Sequence, residues 1–157
     1  MRKIDQLLAE YGESHQNKTN KTIHWICVPL IFFSVVGMIA SIPSGVLHAV
    51  YSSPLANWAV VALALVLIYY ISLSIPLAVG MAAFSFVCLF VARWVSHLGV
   101  APLWLVCLIV FALAWVGQFY GHNVEGKKPS FFKDLQFLLI GPAWLMHFIY
   151  KRLGISY

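Results

Sequence analysis

The chain has 157 residues, of which 62% are hydrophobic, 15% aromatic and only 10% charged. Its mean hydropathy of +0.87 lies well outside the range of soluble domains and places it among integral membrane proteins, read here as a single helical membrane domain over 1–157. The net charge of +5 comes from basic residues scattered along the flanks of apolar runs, a pattern that sets topology and excludes a nucleic-acid groove.

The N-terminal segment carries Ile4, Leu8, Tyr11 and His15 at helical spacing, with Leu7 beside them, and predicts an amphipathic helix whose apolar stripe turns His15 inward. It is too polar for the apolar part of a signal peptide, so the first apolar run is expected to remain as a membrane span. The 17–20 stretch reads as a turn, with Thr19 or Asn20 capping the next helix.

Four apolar runs are long enough to cross a hydrocarbon core of about 30 Å: Ile23 to Ile42, Trp58 to Ser74, Leu77 to Trp94, and Pro102 to Phe119. Pro76 between the second and third predicts a tight helical hairpin. A fifth run, Leu135 to Tyr150, is interrupted by Gly141-Pro142 and is short for a span, so an interfacial or re-entrant helix is expected. Cys27, Cys88 and Cys107 all lie within apolar runs and read as packing residues, with no disulfide framework. The fold class is therefore all-α: about four transmembrane helices, an N-terminal amphipathic helix and a short C-terminal helix.

Arg2, Lys3, Lys18 and Lys21 precede the first span, and Lys127, Lys128 and Lys133 follow the fourth. An even number of spans puts both groups on one face, which the positive-inside rule makes cytosolic, with Arg93 on the far side. The same orientation suits a bacterial inner membrane or an endoplasmic-reticulum membrane. It also brings His15, His24 and His122 to one membrane face.

Two polar clusters stand out at the ends of these spans: 11–24, with His15, Asn17, Asn20 and His24, and 118–125, with Gln118, His122 and Glu125. Trp115, Gln118, His122 and Glu125 recur at three- and four-residue intervals and share one helix face. Taken singly, each histidine reads as a hydrogen-bonded structural residue; together at one face they read as halves of one metal site. Imidazole with carboxylate suits both non-haem iron and zinc. Glu125 has three readings: a further ligand, a group that orients His122, or a surface partner of Lys127 or Lys128. Those two lysines either enforce topology or draw a carboxylate headgroup toward the metal. Tyr11, Asn17, Asn20 and Gln118 read as hydrogen-bonding groups around the site, Tyr11 equally as an interfacial anchor. His147 either lines the same cavity as a possible extra ligand or meets the headgroups, and His48 and His97 read as far-side anchors.

The spacing Tyr11-x3-His15-x-Asn17-x2-Asn20-x3-His24, followed by Pro29, resembles the N-terminal signature of a family of small membrane proteins whose yeast member is a 2-hydroxy fatty acid dioxygenase of phytosphingosine breakdown. Trp115-x2-Gln118-Phe119-x-Gly121-His122-x2-Glu125-x3-Pro129 is similar to its second signature, and a Gly-Pro-containing helix ending at Leu153-Gly154 follows, as in the family. The chain departs from the family pattern at Lys18, Ser130 and Phe148, where proline, alanine and glutamate are frequent. The resemblance implies an iron(II)-dependent dioxygenase that converts a long-chain 2-hydroxy fatty acid, with O2, to the acid one carbon shorter. It implies His15, His24 and His122 as metal ligands, with Glu125 a fourth, and the acyl chain among the membrane lipid and helices. Two other classes compete: a zinc-dependent membrane lipid hydrolase with the same ligands, and a non-enzymatic scaffold. A metal transporter is disfavoured because the span interiors are almost purely apolar, with only small hydroxyls such as Ser34, Ser72 and Ser85.

Overall fold

A computed structural model describes residues 2–51, 53, 56–126 and 137–157. Among these the architecture is all-helical: α1 (Lys3–Glu13), α2 (Lys18–Ala40), α3 (Gly45–Val50), α4 (Trp58–Leu73), α5 (Ile75–Leu98), α6 (Leu103–Glu125) and α7 (Ile140–Leu153). Three of them, α2, α5 and α6, have the length and apolarity to cross a membrane. At 16 residues α4 is shorter than the ~20 usually required, though it carries no charged residue. The outward faces carry large apolar side chains such as Leu65, Ile68, Phe86, Leu113 and Val116, each more than 60% exposed, which suits contact with acyl chains. The protein is thus an all-α membrane protein, as its composition indicates.

Why the helices begin and end where they do is local. The cap of α2 is Asn17, whose side chain accepts from the Thr19 and Asn20 amides, and not Thr19 or Asn20 as expected. The short α3 was also not anticipated. Ser74 turns the chain between α4 and α5 in an extended conformation, and its hydroxyl accepts from the Leu77 amide. Pro76 sits in the first turn of α5, where its missing N–H costs nothing. Gly126, with φ of 73°, ends α6 directly after Glu125 in the left-handed conformation.

The most extensive helix pair is α2 with α6. Small residues permit it. A Cβ on Gly37 would lie 2.3 Å from Cys107 Sγ, one on Gly117 2.6 Å from Cys27 Sγ, and one on Gly121 2.4 Å from Asn20 Oδ1. Such small-residue seams let helix backbones approach where no hydrophobic effect drives them together. Two of the three cysteines therefore fill the α2–α6 seam.

At 14 residues, about 21 Å, α7 is too short to cross. Ile140 through Leu145 are nevertheless all buried, so its first half is enclosed on every side. Tyr70 donates to the Leu139 carbonyl at 2.5 Å and Tyr150 to the Pro76 carbonyl at 2.6 Å, which ties α7 to the end of the α4–α5 hairpin. It packs against α1, α2 and α5 at the membrane end where α2 starts and α6 finishes.

Candidate metal centre

Three elements converge at that end: the segment after α1, the second turn of α2 and the last turn of α6. Ile4, Leu8 and Tyr11 are the buried stripe of α1, as the spacing predicts. The helix stops at Glu13, however, and His15 lies just past it, its amide donating to the Gly12 carbonyl. His15 is still turned inward, at 2% exposure, beside His24 at 1% and His122 at 5%.

The three imidazoles meet. Ring centroids are 4.2 Å apart for His15–His24, 5.2 Å for His24–His122 and 5.5 Å for His15–His122, with steep interplanar angles of 77°, 90° and 66°. Each offers a ring nitrogen, and these nitrogens all lie within 4.8 Å of one another. Hydrogen bonding sets the tautomers of two. Nδ1 of His15 lies 2.6 Å from the Tyr11 carbonyl and Nδ1 of His24 lies 2.9 Å from the Asn20 carbonyl. A carbonyl only accepts, so Nδ1 carries the proton in both rings and Nε2 keeps the lone pair. That is the arrangement of metal-ligating histidines, whose other nitrogen donates to a fixed acceptor. The donor set fits a divalent transition metal with positions left open. Three buried imidazoles so placed can converge on one ion.

The walls are aromatic. Tyr11 stacks on His15 at 4.2 Å and 13°, while Trp144 lies 5.4 Å from both rings. Trp144, which no sequence pattern singles out, closes the site from α7. A cavity of about 30 Å³ touches His24, Tyr11, Trp115 and Gln118 and runs on past Val28 and Ile31. Oε1 of Gln118 is buried without a hydrogen-bond partner among the described residues.

Glu125 stands apart from the triad. Its carboxylate accepts from the Gln16 amide at 2.9 Å, the Asn17 amide at 2.9 Å and Asn20 Nδ2 at 2.9 Å. Asn20 also donates to the Ser14 carbonyl at 3.2 Å. The sequence offered Glu125 as a fourth ligand; in the structure it is a clamp that ties the end of α6 to the turn holding His15. Asn20 is the other half of that clamp and is fully buried. His147 likewise lies outside the triad: Tyr157 is its hydrogen-bond partner and Phe148 its ring neighbour. Burial, with Lys151 one turn away, holds its pKa below the usual value. Lys127 and Lys128 lie outside the described residues.

A helical membrane protein with a buried three-histidine pocket at one membrane face is the class that fold and site define. The family described as 2-hydroxy-palmitic acid dioxygenase Mpo1-like matches residues 1–153, and the chain belongs to that family. No curated protein and no solved structure matches the chain.

Proposed function

We propose that this protein is an iron(II)-dependent dioxygenase that shortens long-chain 2-hydroxy fatty acids by one carbon, with His15, His24 and His122 holding the metal through Nε2 or its equivalent. The observation that carries the reading is the convergence of three buried imidazoles, one ring nitrogen of each within 4.8 Å of the others, two with their tautomer set by a backbone carbonyl. The family description supplies the reaction class.

Conversion of RCH(OH)COOH and O2 to RCOOH, CO2 and H2O balances in atoms and electrons, so no external reductant is required. Bound iron(II) would supply the oxygen chemistry that no amino-acid side chain performs. The chain's own residues do the rest. Gln118 presents its buried amide in the cavity beside His24, where it would hydrogen-bond the substrate's 2-hydroxyl or carboxylate. Tyr11 and Trp144 exclude water and hold His15 in orientation. Below the site a second cavity, of about 60 Å³ and lined only by apolar side chains of α2, α4 and the 138–139 segment, shares Leu138 with the first. From His24 to Ile39 the distance along α2 is about 22 Å, comparable to the length of a long acyl chain. Lys18, Lys21, Lys151 and Arg152 all flank the triad end, which favours a cytosolic site. A role for Lys127 and Lys128 in attracting the carboxylate belongs to the same proposal.

Purified protein loaded anaerobically with iron(II) is expected to bind about one iron per chain, and to consume oxygen in step with loss of a 2-hydroxy fatty acid. Tight zinc that resists iron loading would favour a lipid hydrolase instead. Absence of any metal in wild type would leave the histidines structural.

A further inference from the structure

A second polar site lies on the other side of Trp144. Lys21 in the first turn of α2 and Lys151 and Arg152 in the last turn of α7 face one open pocket of about 400 Å³, whose remaining walls are Trp25 and Phe148. The two rings stand 6.4 Å apart at 45°. No described carboxylate lines the pocket. The described acidic groups with printed partners are engaged elsewhere, Asp5 by Arg2 and Glu125 by the 16–20 turn. Three cations gathered in one open pocket make a positive surface that attracts an anion.

The occupant is constrained by shape and position. Both contributing helix ends lie at the triad end of the bundle, where the lysines gather. Ile26 and Leu30, on the α2 surface leading away from the pocket, are 61% and 40% exposed, so an acyl chain has an apolar face to follow. The pocket does not open into the histidine site: Phe148 packs on Trp144 at 4.7 Å, and Trp144 on His15 at 5.4 Å. A substrate carboxylate directed to the histidines is therefore not the group this pocket holds. An arginine fork with two lysines matches the several oxygens of a phosphate, and basic pockets between helices at a cytosolic surface suit anionic lipid headgroups.

We propose that this pocket binds the phosphate headgroup of an anionic membrane phospholipid, with Trp25 and Phe148 flanking the glycerol region. The site is separate from the histidine centre, and lipid bound there fastens the end of α7 to the start of α2.

The test uses full-length protein in neutral detergent, titrated with phosphatidylglycerol, phosphatidylcholine or oleate and read by native mass spectrometry as lipid bound per chain. Wild type is expected to prefer phosphatidylglycerol over phosphatidylcholine by at least about tenfold, since each basic residue near the surface contributes appreciably to such binding. The Lys21→Gln/Lys151→Gln/Arg152→Gln variant should bring the two lipids within about twofold of each other. The exposed single substitution Lys151→Gln should give an intermediate ratio and guards against misfolding of the triple variant. Equal binding of the two phospholipids by wild type, or an undiminished preference in both variants, would overturn the assignment. Displacement of phosphatidylglycerol by equimolar oleate would also overturn it, in favour of a carboxylate site. Because the readout is lipid stoichiometry, it is independent of whether the histidines bind iron.

Discussion

Replacing Glu125 with glutamine separates a clamp from a ligand. Three donors approach the carboxylate at 2.9 Å, two backbone amides and Asn20 Nδ2. Glutamine retains one acceptor oxygen, so whichever way it turns, at least one donor meets an NH2 group, and the others lose charge assistance. Hydrogen bonds to a charged group contribute about 1.5–3 kcal/mol each, less where solvent reaches them, so the substitution is expected to cost about 2 kcal/mol. For a chain of this size that corresponds to a drop of roughly 4–8 °C in Tm. Loosening the 14–17 turn moves His15, and loss of such a supporting group typically lowers metal affinity by about 10–100-fold without removing the site. Thermal unfolding in detergent, with iron titration of Glu125→Gln and Glu125→Ala, checks both consequences. The reasoning would be refuted if either variant kept its helicity yet bound no iron at any concentration, because Glu125 would then be a ligand. Unchanged stability and affinity would refute it equally.

His122→Ala is expected to abolish high-affinity iron binding with the protein still helical, whereas His147→Gln should leave iron stoichiometry unchanged; metal analysis of the two side by side decides the membership of the triad. Gly121→Ala places a methyl 2.4 Å from Asn20 Oδ1 and should cost about 1–3 kcal/mol by overpacking, seen as a lower Tm together with weaker iron binding. Tyr70→Phe leaves the Leu139 carbonyl without its donor and should cost about 1–3 kcal/mol, with faster hydrogen exchange at the start of α7 as the local signature. Gln118→Leu should raise the KM for a 2-hydroxy fatty acid while iron content stays normal; an unchanged KM would remove Gln118 from the substrate's surroundings.

Much of the site was legible because its determinants are local or strongly patterned. A long apolar run declares a membrane helix by length alone, and a helix face is readable from three- and four-residue spacing, as for Trp115, Gln118 and His122 on α6. An even span count then brings both polar clusters to one membrane face without knowledge of any contact. Spacing also carried the inward turn of His15, even though α1 ends before reaching it. Local chemistry was harder where equivalent residues compete: Asn17, Thr19 and Asn20 are all capable caps, and only the backbone geometry selects Asn17.

Tertiary structure decided what depends on partners far apart in sequence. Glu125 has the chemistry of a ligand, and its assignment to the 16–20 turn follows from three donors that fold to within 2.9 Å of it. Asn20 became the second half of that clamp because Gly121 allows the α6 backbone to press against its side chain. Trp144 became the wall of the histidine pocket, and Lys21 met Lys151 and Arg152, only because α7 docks beside α1 and α2. Hydropathy and periodicity report which face of a helix is buried or which end is wet; they carry no information on which other helix arrives there, because that is set by packing between surfaces and not by any one of them.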